Sequence, residues 1–175
     1  MRLYKMLKKL IVLVGSNKTK LRYAMKAGVK IGSGCTIVGN VDWGSEPYLI
    51  EIGNNVRIAN SCLFVTHDGG MHVLRNKDQL PYADLFGKIK VGNNVLIGIR
   101  SIIMPGVTIG NNVVIGAGSV VTRNIPDNTV ACGVPAHPIK TLDEYYEKAK
   151  VTSVPTNGMS AKDKRAYLID MFGGK

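Results

Sequence analysis

The chain has 175 residues, 45% of them hydrophobic and 20% charged, with a formal net charge of +11. That length supports one domain. The charge is uneven: residues 1–30 hold nine of the 23 Lys and Arg and no acid, leaving 14 cations against 12 acids for the rest. A nearly neutral body without a basic face excludes a nucleic-acid binder of the usual kind.

The N-terminal stretch MRLYKMLKKLIVLVG has the makings of a basic amphipathic helix. It either caps the end of the domain or lies on an anionic membrane surface, and the two roles are compatible. Its apolar run, Leu10 to Val14, is too short to span a bilayer and short for a signal peptide, so the protein is expected to be cytoplasmic. From Ile31 onward a six-residue beat sets in with Ile31, Ile37, Ile52, Ile58 and Phe64. Ile31 and Ile52 stand three residues further apart than three hexads allow, so Trp43-Gly44-Ser45-Glu46-Pro47 is read as a small loop. The beat vanishes between Val65 and Lys88, a stretch long enough to be functional. It then runs almost unbroken through Val91, Ile97, Ile103, Ile109, Ile115 and Val121, each followed four residues on by a second inward-type residue.

Neither an α-helix of period 3.6 nor a free strand of period 2 reproduces a strict six. Six-residue units fit a triangular prism with three hexads per coil, so residues eighteen apart lie above one another at ~4.8 Å. Each unit buries its apolar side only by stacking on its neighbours. Gly and Asn crowd the expected corners, where tight or left-handed backbone is needed. Cys35 and Cys62 fall on small inward positions and are expected to be core thiols; with Cys132 they form no CxxC spacing. Two helices are expected at the end, Leu142 to Lys150 and Ser160 to Phe172, the second opened by Ser160 with Asp163 three residues on.

The phrases MPGVTIGNNVVIG and IGNNVVIGAGSVV resemble the hexapeptide repeat of the left-handed parallel β-helix acyltransferases. GSEPYLIEIGNNVRI, FVTHDGG, DLFGKIKVGNNVLIG and IKTLDEYYEK are similar to segments of capsule and lipopolysaccharide O-acetyltransferases and of the maltose and galactoside acetyltransferase group. The resemblance implies an all-β fold, a left-handed parallel β-helix over residues 31–140 with an inserted loop at 65–88. A basic arm or cap over 1–30 and C-terminal helices over 141–175 flank it. It implies acetyl-CoA as donor, a sugar or glycan hydroxyl as acceptor, no metal, and a homotrimer with active sites between subunits.

His67, where the coil opens into the long loop, matches the family's general base, a group that takes the acceptor hydroxyl's proton as its oxygen attacks a thioester. Glu46 or a backbone carbonyl is the candidate to orient its ring, Asp68 is adjacent, and Trp43 is a candidate to stack on a sugar face. For coenzyme A the resemblance points to Ile99 and Ala117 on adjacent coils, Thr122-Arg123, and the closing GVPAHPIK with His137 and Lys140. The family usually has a permanent cation where His137 stands. Two alternatives remain open: a γ-type zinc carbonic anhydrase, for which His67 and His72 have a suitable spacing, and a β-helix scaffold without chemistry.

Overall fold

The computed structural model describes residues 15–173. The chain forms two compact units, Met1–Tyr145 and Tyr146–Lys175. Residues 1–14, the core of the expected amphipathic stretch, lie outside the described residues. A helix not foreseen from the sequence, α1 (Asn17–Ala27), comes next. Ser16 caps its start by accepting the Thr19 N–H, and Gly28 ends it at φ 115°, left-handed backbone that costs an L side chain ~1–2 kcal/mol. Asn17 turns its amide into the first coil: Nδ2 donates to the Cys35 carbonyl and Oδ1 accepts the Ile37 N–H. Those are strand groups that a preceding coil would have satisfied, so α1 closes the bottom of the stack.

Twelve short strands then wind through three parallel sheets. Sheet 1 stacks β1 (Lys30–Ile31), β4 (Ile50–Ile52), β7 (Ile89–Val91) and β10 (Thr108–Ile109). Sheet 2 stacks β2 (Thr36–Ile37), β5 (Arg57–Ile58), β8 (Val95–Ile97) and β11 (Val113–Ile115). Sheet 3 stacks β3 (Val41–Asp42), β6 (Cys62–Phe64), β9 (Ile102–Ile103) and β12 (Val120–Val121). A strand pair, β13 (Thr129–Gly133) and β14 (Ala136–Thr141), adds to the top of sheet 2, with β14 antiparallel.

The register explains the beat. Ile31, Ile52, Val91 and Ile109 form one inward column, and Ile37, Ile58, Ile97, Ile115 and Ala131 another. Phe64, Ile103 and Val121 line sheet 3. Cys35, Cys62, Ser101 and Ser119 fill the smaller inward positions and are buried. Cys62 Sγ and Ser101 Oγ both donate to the Gly98 carbonyl, and Ser119 Oγ donates to that of Gly116. Burial pushes the Cys62 thiol up, away from the thiolate a nucleophile needs.

At the corner between sheets 1 and 2, Asn55, Asn94, Asn112 and Asn128 all sit at φ 55°. Beside them runs a ladder in which Asn54 donates through Nδ2 to Asn93 and Asn93 to Asn111, each at 3.0 Å, and Asn111 to Asp127 at 3.3 Å. Gly92 is required there: a Cβ would lie 2.6 Å from the Gly110 carbonyl oxygen of the next coil. The chain ends in α3 (Leu142–Thr152) and α4 (Ala161–Phe172). Ser160 caps α4 as expected. Thr141 and Glu144 form a reciprocal capping box on α3, with Thr141 N–H donating to Glu144 Oε2 at 2.7 Å and Glu144 N–H to Thr141 Oγ1 at 3.1 Å.

Candidate active site

Both interruptions of the beat leave the prism at one corner, between sheets 3 and 1. The first, after β3, ends in a 3₁₀ turn (Pro47–Leu49) preceded by Glu46. The second, after β6, begins at Thr66 and His67. One coil separates them, so Glu46 and His67 come together: Glu46 Oε2 lies 2.9 Å from His67 Nδ1 and accepts the Thr66 hydroxyl at 2.6 Å. Thr66 is buried, whereas the His67 side chain is 43% exposed and that of Glu46 only 16%.

This arrangement defines the chemistry of the imidazole. The Thr66 hydroxyl and then His67 hold the Glu46 carboxyl below its usual range, so it is an ionised acceptor with nothing to donate. The shared hydrogen therefore sits on Nδ1, and in the neutral ring Nε2 is the nitrogen that carries the lone pair. A ring fixed in that tautomer can take a proton from a hydroxyl in front of it.

The long loop is tied at its neck beside this histidine. Gly87 N–H donates to the Thr66 carbonyl at 2.9 Å and Asp68 N–H to that of Leu85 at 2.8 Å, and His67 bridges Phe86 between them. The Phe86 ring meets the imidazole edge-on, with centroids 6.1 Å apart. Within the loop, α2 (Met71–Asn76) holds Arg75, whose Nη1 donates to the Ala83 carbonyl and to Asp84. The segment is thus an ordered excursion with its own hydrogen bonds.

Two expected site residues are placed elsewhere. Asp68 does not face the imidazole; its Oδ1 accepts the Gly70 N–H at 2.8 Å and shapes the start of the loop. Trp43 does not offer a face to a sugar. It is buried, one step beyond the Asp42–Leu63 pair, and stacks on Phe64 with ring centroids 5.0 Å apart. It is the lowest rung of the sheet 3 column. Thr66, which anchors Glu46, was missed as a site residue; a hydroxyl next to the histidine was the available signal.

The expected coenzyme A residues fall on two corners and on the antiparallel strand β14. Ile99 and Ala117 lie between sheets 2 and 3, both exposed and stacked, with Gly118 N–H donating to the Ile99 carbonyl at 2.8 Å. Thr122 and Arg123 are exposed at the sheet 3–sheet 1 corner, two coils above Thr66 and His67. His137 and Lys140 stand on β14, opposite Cys132 and Val130. The His137 ring donates through Nδ1 to the Pro135 carbonyl at 3.2 Å. One chain therefore groups Glu46, Thr66 and His67 tightly but spreads the others around sheet 3 and its flanks.

The pattern of six repeats described as bacterial transferase hexapeptide matches residues 88–123. Protein CapG of Staphylococcus aureus is 49% identical over 149 residues, 84% of this chain and 86% of that one. Galactoside O-acetyltransferase of Escherichia coli K12 is 37% identical over 114 residues, 62% of this chain and 54% of that protein's length. A solved galactoside acetyltransferase in complex with coenzyme A superposes with a TM-score of 0.59 at 28% identity, covering 83% of this chain and 82% of the other. The chain belongs to the hexapeptide-repeat transferases, its fold is their left-handed parallel β-helix, and it is an acyltransferase.

Proposed function

We propose that this protein moves an acetyl group from acetyl-CoA to a sugar hydroxyl of a capsule or lipopolysaccharide precursor, by direct transfer with His67 as general base. The observation that carries this reading is the Glu46–His67 pair at 2.9 Å, with the Glu46 side chain sheltered and the His67 side chain part-exposed. His67 Nε2 receives the acceptor's proton, Glu46 holds the ring and stabilises the imidazolium, and Thr66 holds Glu46. Backbone N–H groups bear the developing oxyanion, whose collapse breaks the thioester C–S bond and releases coenzyme A as a thiol that takes up the proton held by His67.

The donor contributes an activated thioester, and exposed groups of this chain offer it contacts. Ile99 and Ala117 offer a stacked apolar edge for an extended amide arm, and Arg123 and Lys140 offer cations for phosphates. Because Ile99 and Ala117 lie on one corner flanking sheet 3 and Arg123 on the other, with Lys140 on β14, a homotrimer that sets one subunit's corner against another's completes the site. The enzyme works at the cytoplasmic face of the inner membrane.

A thiol-release assay with acetyl-CoA and a panel of sugars and glycan precursors tests the reading. His67→Ala lowers kcat on the order of 10²-fold or more while coenzyme A binding survives. Near-wild-type turnover in that variant overturns the assignment of the base.

A further inference from the structure

The closed bottom of the prism presents a surface that the transfer reaction does not use. At ~100° per residue, the inward side of α1 holds Asn17, Leu21 and Ala24, which bond or pack against the first coil. The outward arc holds Lys18, Arg22 and Lys26 at successive steps of four, with Tyr23 beside them, and all four are exposed. Among the described residues none of these three cations stands within salt-bridge distance of an acid. No Asp or Glu occurs before Asp42 in the sequence, so nothing in the preceding chain offsets the charge.

The catalytic corner is near this face. A Cβ on Gly28, the C-cap of α1, would lie 3.1 Å from Tyr48 Cβ, in the 3₁₀ turn that follows Glu46. His67 is one coil further up, at ~5 Å per coil. The opposite end of the prism is closed by the β13–β14 pair, far from the base.

We infer that the outward face of α1, led by Lys18, Arg22 and Lys26, docks the enzyme on an anionic membrane surface, with the coil axis upright and the His67 corner just above the headgroups. Cations with an interleaved tyrosine on a helix face suit that interface. Among the described residues no helix is long and apolar enough to cross a membrane, so the contact is one of lying on the surface. The docking rests on the proposed glycan acetylation for its use, since a lipid-linked acceptor would be presented at the depth of His67.

Co-sedimentation with vesicles of phosphatidylglycerol and phosphatidylcholine, beside pure phosphatidylcholine, tests it. Wild-type protein binds the anionic vesicles at low salt, releases at high salt, and ignores the neutral ones. The triple variant K18Q/R22Q/K26Q keeps its thermal midpoint and partitions on the order of 10²-fold more weakly, from the loss of three cations near the surface. Wild-type affinity in the triple variant, salt-insensitive binding, or displacement of the protein from vesicles by duplex DNA of equal charge each overturns the proposal. His67→Ala binds vesicles like wild type, so loss of docking and loss of the catalytic reading are separate outcomes.

Discussion

Residues 88–125 and residues 31–88 build one prism from the same kind of short strand, yet they do different work. The upper coils repeat every eighteen residues, with Val95–Val113 and Ile97–Ile115 in register and nearly every inward side chain buried. The lower coils step by twenty-one residues from Ile31 to Ile52 and by thirty-nine from Ile52 to Val91. Their surplus chain emerges at a single corner, and that is where Glu46, Thr66 and His67 meet. Uninterrupted repetition satisfies every strand from its neighbours and leaves little for chemistry. A break exposes backbone and side chains that must find partners of their own, and here they find each other.

The sharpest way to break this division is to cut the core in each half. Ile115 is fully buried among coils above and below, so Ile115→Ala opens a cavity and costs about 2–5 kcal/mol. Ile31 is only partly buried in the bottom coil, and Ile31→Ala costs less than about half of that by the area it covers. Chemical denaturation of both variants checks the order; equal losses would mean that the lower coils are packed as tightly as the upper ones.

Next in size is a change confined to the corner that holds Glu46 and His67. Glu46→Gln keeps the shape but removes the charge that orients His67, and lowers kcat roughly 10–100-fold, as loss of a partner that orients a histidine does elsewhere. The melting temperature stays near that of the parent. An unchanged kcat would show that the pairing is structural.

The smallest effect concerns acid stability on sheet 1. The Lys88 ammonium, at 2.7 Å, and then Lys30, at 3.0 Å, hold the Glu51 carboxyl down at about 2 against an ordinary 4.5. A depressed carboxyl stabilises the fold fully above its unfolded value and loses that contribution as pH falls through the folded one. The advantage of wild type over Glu51→Gln in urea midpoint is therefore constant above 4.5 and shrinks as pH drops toward 2. A difference that grows on acidification would refute the pairing.

Much of this was legible in the chain because a six-residue beat has one simple physical reading, and the columns of Ile and Val follow from it. The place of His67 was legible too, since the end of the beat after Phe64 puts it at the neck of the long loop. What escaped was the consequence of the twenty-one-residue step. Counting it forward from Trp43 lands on Phe64, and from Glu46 on His67, which makes the tryptophan a core rung and the glutamate the partner. The loop reading of 43–47 hid this, because residues outside the hexads were treated as free of register. α1 was missed although Ser16 and Gly28 punctuate it, because the apolar run before it drew the helix assignment toward the N-terminus.

The asparagine ladder has one more consequence. Asn54, Asn93 and Asn111 make the same bonds to the rung above, and the aliphatic columns beside them are equally alike, so a chain shifted by one whole coil would find almost the same partners. A lattice of identical rungs carries no address. The unequal steps supply it: no slip by eighteen maps twenty-one, thirty-nine or the final sixteen onto itself, and Trp43 stacks on Phe64. The irregular corner that holds the imidazole is thereby also the origin from which the winding chain counts its turns.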